Sequence, residues 1–164
     1  MKVFANYASP LGNIVLSADD EGLTGLGFAP ETGAGVSSGH PALREARRWL
    51  ALYFSGRAPG FTPPLHLCGT PFRMEVWKLL LEIPYGETTT YGALAKALSA
   101  RRGGRMAAQA VGGAEGRNPV PLIVPCHRVV GAGGGLVGYG GGLGRKARLL
   151  ALEGAALASL SDFL

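Results

Sequence analysis

The chain has 164 residues, of which 47% are apolar, and a formal net charge of +5. This composition excludes a disordered chain, and no apolar run is long enough to predict a transmembrane helix. The two cysteines, Cys68 and Cys126, have no short paired spacing and do not form a disulfide framework. Because the N-terminus also lacks a signal-peptide pattern, we expect a cytoplasmic protein without membrane association.

The first part of the chain has the pattern of a small α/β domain. Strands are predicted over residues 2–9, 14–18 and 23–28. Turns rich in Gly, Asn and Asp separate them, which favours an antiparallel sheet. A helix is predicted from Pro41 to Phe54, because proline is tolerated at the first helical position and apolar residues then recur at helical spacing. We therefore predict a domain over 1–62 and a linker over 63–69.

The second domain, predicted over 70–164, is mainly helical. Thr70 caps a first helix that opens with Pro71. Two short helices, predicted over 91–98 and 105–114, are separated by a turn rich in arginine and glycine. This pattern is typical of a helix-turn-helix, although a plain helical hairpin of a core has the same spacing.

The second short helix carries mostly alanine and glycine where a sequence-reading helix would carry Arg, Asn or Gln. Residues 70–164 also hold eleven basic and six acidic side chains, and therefore the whole net charge. This excess of basic side chains favours a polyanionic partner. The alternative is that the basic side chains form an ordinary solvated surface. If the partner is DNA, the pattern predicts binding through phosphates and shape with little sequence preference.

The residues most suited to chemistry follow this helix pair. Turn-forming residues that begin at Asn118 lead into a β-branched apolar stretch, which predicts a strand directly before Cys126, His127 and Arg128. In residues 131–144, nine of fourteen positions are glycine, and glycine allows close approach to a ligand. Because nearby positive charge lowers a thiol pKa, this setting predicts an ionised, nucleophilic cysteine. The alternative interpretation is a buried structural cysteine.

A last helix is predicted over 145–153, and we expect residues 155–164 to pack on the domain. His66 and Cys68 alternate on a short extended piece and share a face. Two ligands are fewer than a zinc site needs, so we predict no metal site.

Short motifs occur in a fixed order along the second domain. They are Pro71-Phe72, Val76-Trp77, Ile83–Thr88, Tyr91-Gly92, Ala110–Gly113, Asn118-Pro119, Pro125–Val129, Gly138-Tyr139 and Leu149–Gly154. In this order they resemble the O6-alkylguanine-DNA alkyltransferases. The N-terminal domain is matched more weakly, through Pro10–Gly12 and Tyr53–Gly56. The resemblance implies a ribonuclease-H-like N-terminal α/β domain and a C-terminal domain with a winged helix-turn-helix.

In that family a cysteine takes an alkyl group from the O6 atom of a guanine that is flipped out of duplex DNA, which is bound through the minor groove. The resemblance implies that Cys126 is the acceptor and that His127 deprotonates it through a water. Glu153 would orient that histidine, and Asn118 would support the surrounding loop. The thioether product is not hydrolysed by water under ordinary conditions, so we expect one reaction per molecule, without a cofactor.

The resemblance also implies a set of residues that contact DNA or the flipped base. They are Tyr91, Arg105, Ala107, Ala108, Gln109, Arg128, Val129, Tyr139 and Gly140. Tyr91 would help to turn the nucleotide out of the duplex or donate a hydrogen bond to the guanine. Tyr139 would line the pocket beside the flipped base. The backbone after Val129 would recognise guanine. The expected partner is duplex DNA that contains O6-alkylguanine, and we expect a monomer.

One position departs from the family pattern. Gln109 stands where the family usually has an arginine that fills the gap left by the extruded base. The missing charge predicts weaker DNA binding or slower repair, which Arg105 would partly offset. Two other functions fit less well. A lesion-binding protein without transfer activity would lack the cysteine, and a Cys-His acyl hydrolase would turn over many substrates per molecule.

Overall fold

The computed structural model describes residues 2–31 and 39–155, so the expected packing of the segment after Ala155 lies outside the described residues. The chain divides into two compact units, residues 1–68 and 69–164. Within the described ranges, no helix has both the length and the apolar character needed to cross a membrane.

The first unit contains an antiparallel sheet and one helix, as the strand and helix patterns predict. The strands are β1 (Val3–Ser9), β2 (Gly12–Ala18) and β3 (Leu23–Phe28), and the helix is α1 (Pro41–Phe54). The sheet order is β1-β2-β3. Every second residue of β2, from Ile14 to Ala18, is buried, and the apolar face of α1 packs against the sheet.

The segment expected as a linker is partly fixed on the first unit. The Leu23 amide donates to the Pro64 carbonyl at 2.8 Å, and the His66 amide donates to the Leu23 carbonyl at 2.8 Å. Gly22 has φ +156°, and a Cβ at this position would lie 2.7 Å from the Pro64 oxygen. Glycine is therefore required at position 22, because any side chain there would collide with the Pro64 carbonyl.

The second unit is mainly helical. Its elements are α2 (Pro71–Leu81), β4 (Thr89–Thr90), α3 (Tyr91–Arg102), α4 (Ala108–Glu115), β5 (Val129–Val130) and α5 (Leu143–Leu152). The short strands β4 and β5 pair in parallel, and α4 packs against α2 and α3. The pair α3 and α4 has the arrangement that the helix-turn-helix pattern predicts.

The ends of these two helices differ from the prediction. The Thr90 hydroxyl accepts the Ala93 amide at 3.1 Å and starts α3 as expected, but the helix runs four residues further, to Arg102. Helix α4 begins only at Ala108, after Ala107, which provides no side-chain cap. Arg105 therefore lies in the turn before α4, where the nearby Gly103 and Gly104 have positive φ.

The position of α4 depends on a buried tryptophan of α2. The Trp77 side chain is 1% exposed, and its Nε1 donates to the Ala114 carbonyl at 2.9 Å. The same carbonyl accepts the Arg117 amide at 3.2 Å, so the indole joins the backbone turn that ends α4. Trp77 thus holds the helix that leads to the cysteine loop.

We predict that Trp77→Phe lowers the free energy of unfolding by about 2 to 4 kcal/mol, because it opens a cavity and removes the buried hydrogen bond from the indole to the Ala114 carbonyl. Urea unfolding followed by circular dichroism measures the change. Leu81→Ala, at a 37% exposed position of the same helix, is the control and should cost much less. Equal losses in both variants would contradict this role of Trp77.

Candidate active site around Cys126

The predicted strand before Cys126 is wrong. Residues 120–124 form a turn, in which the Val124 amide donates to the Val120 carbonyl at 3.0 Å and Leu122 has φ +75°. Pro119 and Pro121 provide no amide donors, so they cannot extend a strand ladder.

The Asn118 side chain holds this turn in place. Its Oδ1 accepts the Val120 amide at 3.0 Å, and its Nδ2 donates to the Val124 carbonyl at 2.8 Å. The Cys126 amide donates to the same Val124 carbonyl at 2.8 Å. A 3₁₀ turn over Cys126–Arg128 then presents the cysteine before β5 begins.

The Cys126 side chain is buried, with 6% exposure. The pKa of its thiol is raised to about 12, first by burial and then by the charge of Glu115, against the opposing effects of hydrogen bonding to Asn118 and of the charge of Lys146. The expectation of an ionised thiol is therefore wrong, because desolvation outweighs the nearby positive charge. At neutral pH the resting sulfur carries its proton.

A buried carboxylate holds the neighbouring histidine. Glu153 Oε2 lies 2.5 Å from His127 Nε2, and Glu153 Oε1 accepts Arg128 Nε at 2.8 Å and the Gly86 amide at 3.0 Å. Burial alone would raise the Glu153 pKa, but the hydrogen bonds from His127 and Arg128 and the positive charge that faces the carboxylate outweigh it and hold this pKa at about 2. Glu153 is therefore ionised at neutral pH.

The protonation of His127 follows from this carboxylate. Burial lowers the pKa of His127 by more than the charge of Glu153 raises it, so the imidazole is neutral at neutral pH. An ionised carboxylate can only accept, so the single ring proton lies on Nε2. The lone pair is then on Nδ1, the nitrogen on the other side of the ring.

The structure corrects the expected role of Arg128. Its side chain is 7% exposed and donates to Glu153 and, through Nη1 at 2.7 Å, to the Ile83 carbonyl. The guanidinium also lies 5.7 Å from the centre of the Tyr85 ring. Arg128 therefore neutralises the buried carboxylate, and its guanidinium is turned into the protein instead of toward a surface that could contact DNA or the base.

Lys146 is a functional residue that the sequence analysis missed. Its fully buried ammonium group donates to the carbonyls of Val129 at 2.5 Å, Val137 at 2.9 Å and Gly138 at 3.1 Å. It thus fixes the glycine-rich loop to β5. A signal was present, since Lys146 lies three and four residues before the buried Leu149 and Leu150 on the predicted helix.

Two tyrosines of the predicted base-binding set lie near this loop. Tyr91 Oη donates to the Val137 carbonyl at 3.3 Å, and the neighbouring helix α4 ends in Glu115, a buried acidic residue that the sequence analysis missed. The Tyr139 hydroxyl is buried and has no hydrogen-bond partner among the described residues. A buried polar group without a partner is unusual and suits a site that a ligand completes.

The remaining predicted contacts divide into exposed and buried residues. Arg105, Ala107, Ala108, Gln109 and Gly140 are exposed. Val129 is buried in β5, its amide donates to the Cys126 carbonyl, and its own carbonyl binds Lys146. The backbone groups of Val129 itself are therefore engaged within the protein and do not face a base.

His66 and Cys68 belong to the first unit. His66 Nδ1 lies 2.6 Å from Asp19 Oδ2, and its Nε2 lies 2.9 Å from Glu21 Oε2. Among residues 2–31 and 39–155, no group of three or more His, Cys, Asp or Glu side chains has the geometry to hold a metal ion.

We predict that Glu153→Gln lowers the free energy of unfolding near neutral pH by about 3 kcal/mol. The folded pKa of Glu153 is about 2, below its ordinary 4.5, so this stabilisation is present above pH 4.5 and is lost as the pH falls toward 2. Urea unfolding at several pH values should show the difference from wild type shrinking below pH 4.5. A difference that is independent of pH would contradict the prediction, and Glu82→Gln, at an exposed position, is the control.

Both units match models of one protein family. Residues 2–67 match the ribonuclease-like domain of 6-O-methylguanine DNA methyltransferase, and residues 71–155 match its DNA binding domain. A methylated-DNA–protein-cysteine methyltransferase of Mycobacterium leprae is 46% identical over 149 residues, which cover 88% of each chain. The enzyme of that name from Methanosarcina acetivorans is 45% identical over 156 residues, covering 92% of this chain and 97% of the relative.

Solved structures agree with the family models. The crystal structure of Mycobacterium tuberculosis OGT in complex with DNA has a TM-score of 0.80 and 43% identity, and covers 98% of this chain and 99% of that one. The crystal structure of the M. tuberculosis O6-methylguanine methyltransferase has a TM-score of 0.79 and 42% identity over the whole of both chains. The likeness confirms the two-domain fold, with a small antiparallel sheet in the first domain and a helical DNA-binding second domain. The chain belongs to the 6-O-methylguanine DNA methyltransferase family.

Proposed function

We propose that this protein repairs DNA by transferring an alkyl group from the O6 atom of guanine to Cys126, once per molecule. The observation that carries the proposal is the placement of Cys126 directly before a neutral histidine that a buried Glu153 carboxylate orients. The family models and the names of the relatives support the same reaction.

The protonation states suggest how the thiol is activated. Because the Cys126 pKa is about 12, the reaction needs a base that removes the proton as the sulfur attacks. His127 Nδ1 carries the lone pair, and we assign it this role through an intervening water. The positive charge that forms on the imidazole is stabilised by Glu153, which is already ionised.

The transfer step is a displacement at the alkyl carbon. A bond forms between sulfur and that carbon, and the bond between carbon and O6 breaks. The electron pair stays with the guanine, which leaves neutral after it takes up one proton. The product is a thioether that water does not hydrolyse under ordinary conditions, so the protein is consumed.

The proposed DNA surface is the exposed start of α4. Ala107, Ala108 and Gln109 present small or uncharged side chains there, which permits close approach in the minor groove but reads few bases. A complex with DNA exists for the M. tuberculosis relative, which supports a DNA partner for this chain. We assign DNA binding to contacts with the phosphates and to the shape of the duplex. The protein binds as a monomer.

The proposed substrate is an O6-alkylguanine base that is flipped out of the duplex. Flipping takes a few kcal/mol and is repaid by stacking and hydrogen bonds in a pocket. Tyr139 provides an aromatic ring and a buried hydroxyl without a partner among the described residues. Tyr91 provides a second hydroxyl, at the loop that Lys146 fixes.

Intact-mass spectrometry after incubation with duplex DNA that carries O6-methylguanine tests the proposal. We expect each protein molecule to gain one methyl group in place of the thiol hydrogen, and the reaction to stop there. Cys126→Ser should gain nothing, and Cys68→Ser, which removes the exposed cysteine, should react like wild type. No mass gain in wild type, or repeated turnover of substrate, would contradict the proposal.

A second prediction concerns Gln109. We expect Gln109→Arg to raise the rate of repair of duplex DNA about tenfold, because a charged hydrogen bond in the gap left by the flipped base is worth about 1.5 to 3 kcal/mol. Single-turnover rates from the same mass measurement test this. With O6-alkylguanine supplied as a free base, the two proteins should react equally, since no base is flipped. An unchanged rate on duplex DNA would show that position 109 does not limit flipping.

A further inference from the structure

A group of titratable side chains in the first unit lies outside the proposed repair site. His66 Nδ1 lies 2.6 Å from Asp19 Oδ2, and His66 Nε2 lies 2.9 Å from Glu21 Oε2 and 3.7 Å from Cys68 Sγ. Cys68 is exposed, whereas Cys126 is buried. A nucleophile beside an imidazole that a carboxylate orients is the arrangement of activated nucleophiles. This arrangement points to chemistry at Cys68.

The backbone of the first unit brings these side chains together. Asp19 lies in the turn between β2 and β3, where its Oδ1 accepts the amides of Glu21 at 2.9 Å and Gly22 at 3.2 Å. The segment that carries His66 runs beside the start of β3, because the His66 amide donates to the Leu23 carbonyl at 2.8 Å. Asp19 thus holds the turn with one carboxylate oxygen and directs the other to the histidine.

The neighbours of His66 favour its charged form. The hydrogen bond to Asp19 raises the pKa of His66, and the charges of Asp19 and Glu21 act in the same direction, while burial opposes them. Both ring nitrogens face acceptors, and only the imidazolium can donate from both. One of its protons is directed to Asp19, and the other faces the Glu21 carboxylate and the Cys68 sulfur.

We propose that Cys68 is a second reactive thiol, activated by His66, at which soluble disulfides of low molecular weight modify the protein. The thiolate is the form of cysteine that attacks a disulfide, and an adjacent imidazolium stabilises a thiolate. The inference does not depend on the proposed function, because it concerns the first unit and a thiol that the proposed repair does not use.

The Glu21 carboxylate competes with the sulfur for the proton on His66 Nε2 but does not exclude it. The Glu21 side chain is 72% exposed, and an ion pair this open to water holds its partners only weakly. Cys68 lies two residues from His66 on the same segment, so its sulfur stays near the ring when the Glu21 side chain moves away. The Asp19 carboxylate lies on the other ring nitrogen, so the positive ring separates its charge from the sulfur.

The proposed reaction is a thiol–disulfide exchange. The Cys68 sulfur attacks one sulfur of the reagent, a new disulfide bond forms between them, and the bond between the two reagent sulfurs breaks. The Cys68 proton passes to the solvent, and the departing sulfur takes up a proton and leaves as a thiol. The reagent is therefore the oxidant, and an added thiol reverses the reaction. Cys126 does not compete, because its side chain is 6% exposed and its pKa is about 12.

Modification by bis(2-hydroxyethyl) disulfide, a small neutral reagent, tests the proposal. Intact mass should show one group added to the wild-type protein and none added to Cys68→Ser, and dithiothreitol should remove the group. A Cys126→Ser background leaves Cys68 as the reacting thiol. In this background we expect His66→Gln to lower the rate at pH 7 about threefold, because the loss of thiolate is partly offset by its greater nucleophilicity.

The effect of His66 should depend on pH, which a purely structural role would not produce. Since the pKa of His66 is raised, its charge is present below that pKa and is lost as the pH rises through it. The ratio of the background rate to the His66→Gln rate should therefore be largest at about pH 6 to 7 and approach one at about pH 9. His40→Gln, which changes the histidine at the start of α1, is the control and should follow the background at every pH.

A second variant keeps the test decisive. Asp19→Asn retains an oxygen that can accept the amides of Glu21 and Gly22 but removes the charge that favours the imidazolium, so it should also lower the rate at pH 7. Rates that neither His66→Gln nor Asp19→Asn changes would overturn the inference, as would modification of Cys126 in place of Cys68. If His66→Gln does not fold, as judged by circular dichroism, Asp19→Asn decides alone.

Discussion

The structure of the site depends on one buried carboxylate, Glu153. It accepts hydrogen bonds from His127, Arg128 and the Gly86 amide, and so joins the end of α5 to the cysteine turn and to the segment after α2. A buried charge is tolerated only when it is paired and hydrogen-bonded, and these three donors meet that condition. The same bonds fix the tautomer of His127, so the fold and the proposed chemistry depend on the same atoms.

The burial of Cys126 and its proposed reactivity are compatible. A thiol with a pKa of about 12 is inert toward adventitious electrophiles, which suits a protein that is consumed by a single reaction. Activation then depends on the neutral His127, and therefore on Glu153. The loop on the other side of the site is fixed by Lys146, whose three carbonyl partners include the residue that begins β5. The cysteine turn and the glycine-rich loop are thus each held by a buried charged group of α5 or its C-cap.

The parts of the fold with clear periodicity were predictable. The alternation of β2 and the helical spacing in α1 are local patterns, and both elements occur where the sequence indicates them. The strand over 120–124 was wrong because β-branched composition does not reveal that two prolines and Asn118 close a turn there. Arg128 was misplaced because its partner, Glu153, is 25 residues away in the chain.

The central claim is that a neutral His127, protonated on Nε2 and oriented by Glu153, is ready to accept the Cys126 proton. Nitrogen-15 NMR of the imidazole in the intact protein tests it directly, since the chemical shifts distinguish the two tautomers and the charged form. The account predicts, at neutral pH, a proton on Nε2 and a lone pair on Nδ1. An imidazolium at neutral pH, or a proton on Nδ1, would contradict it.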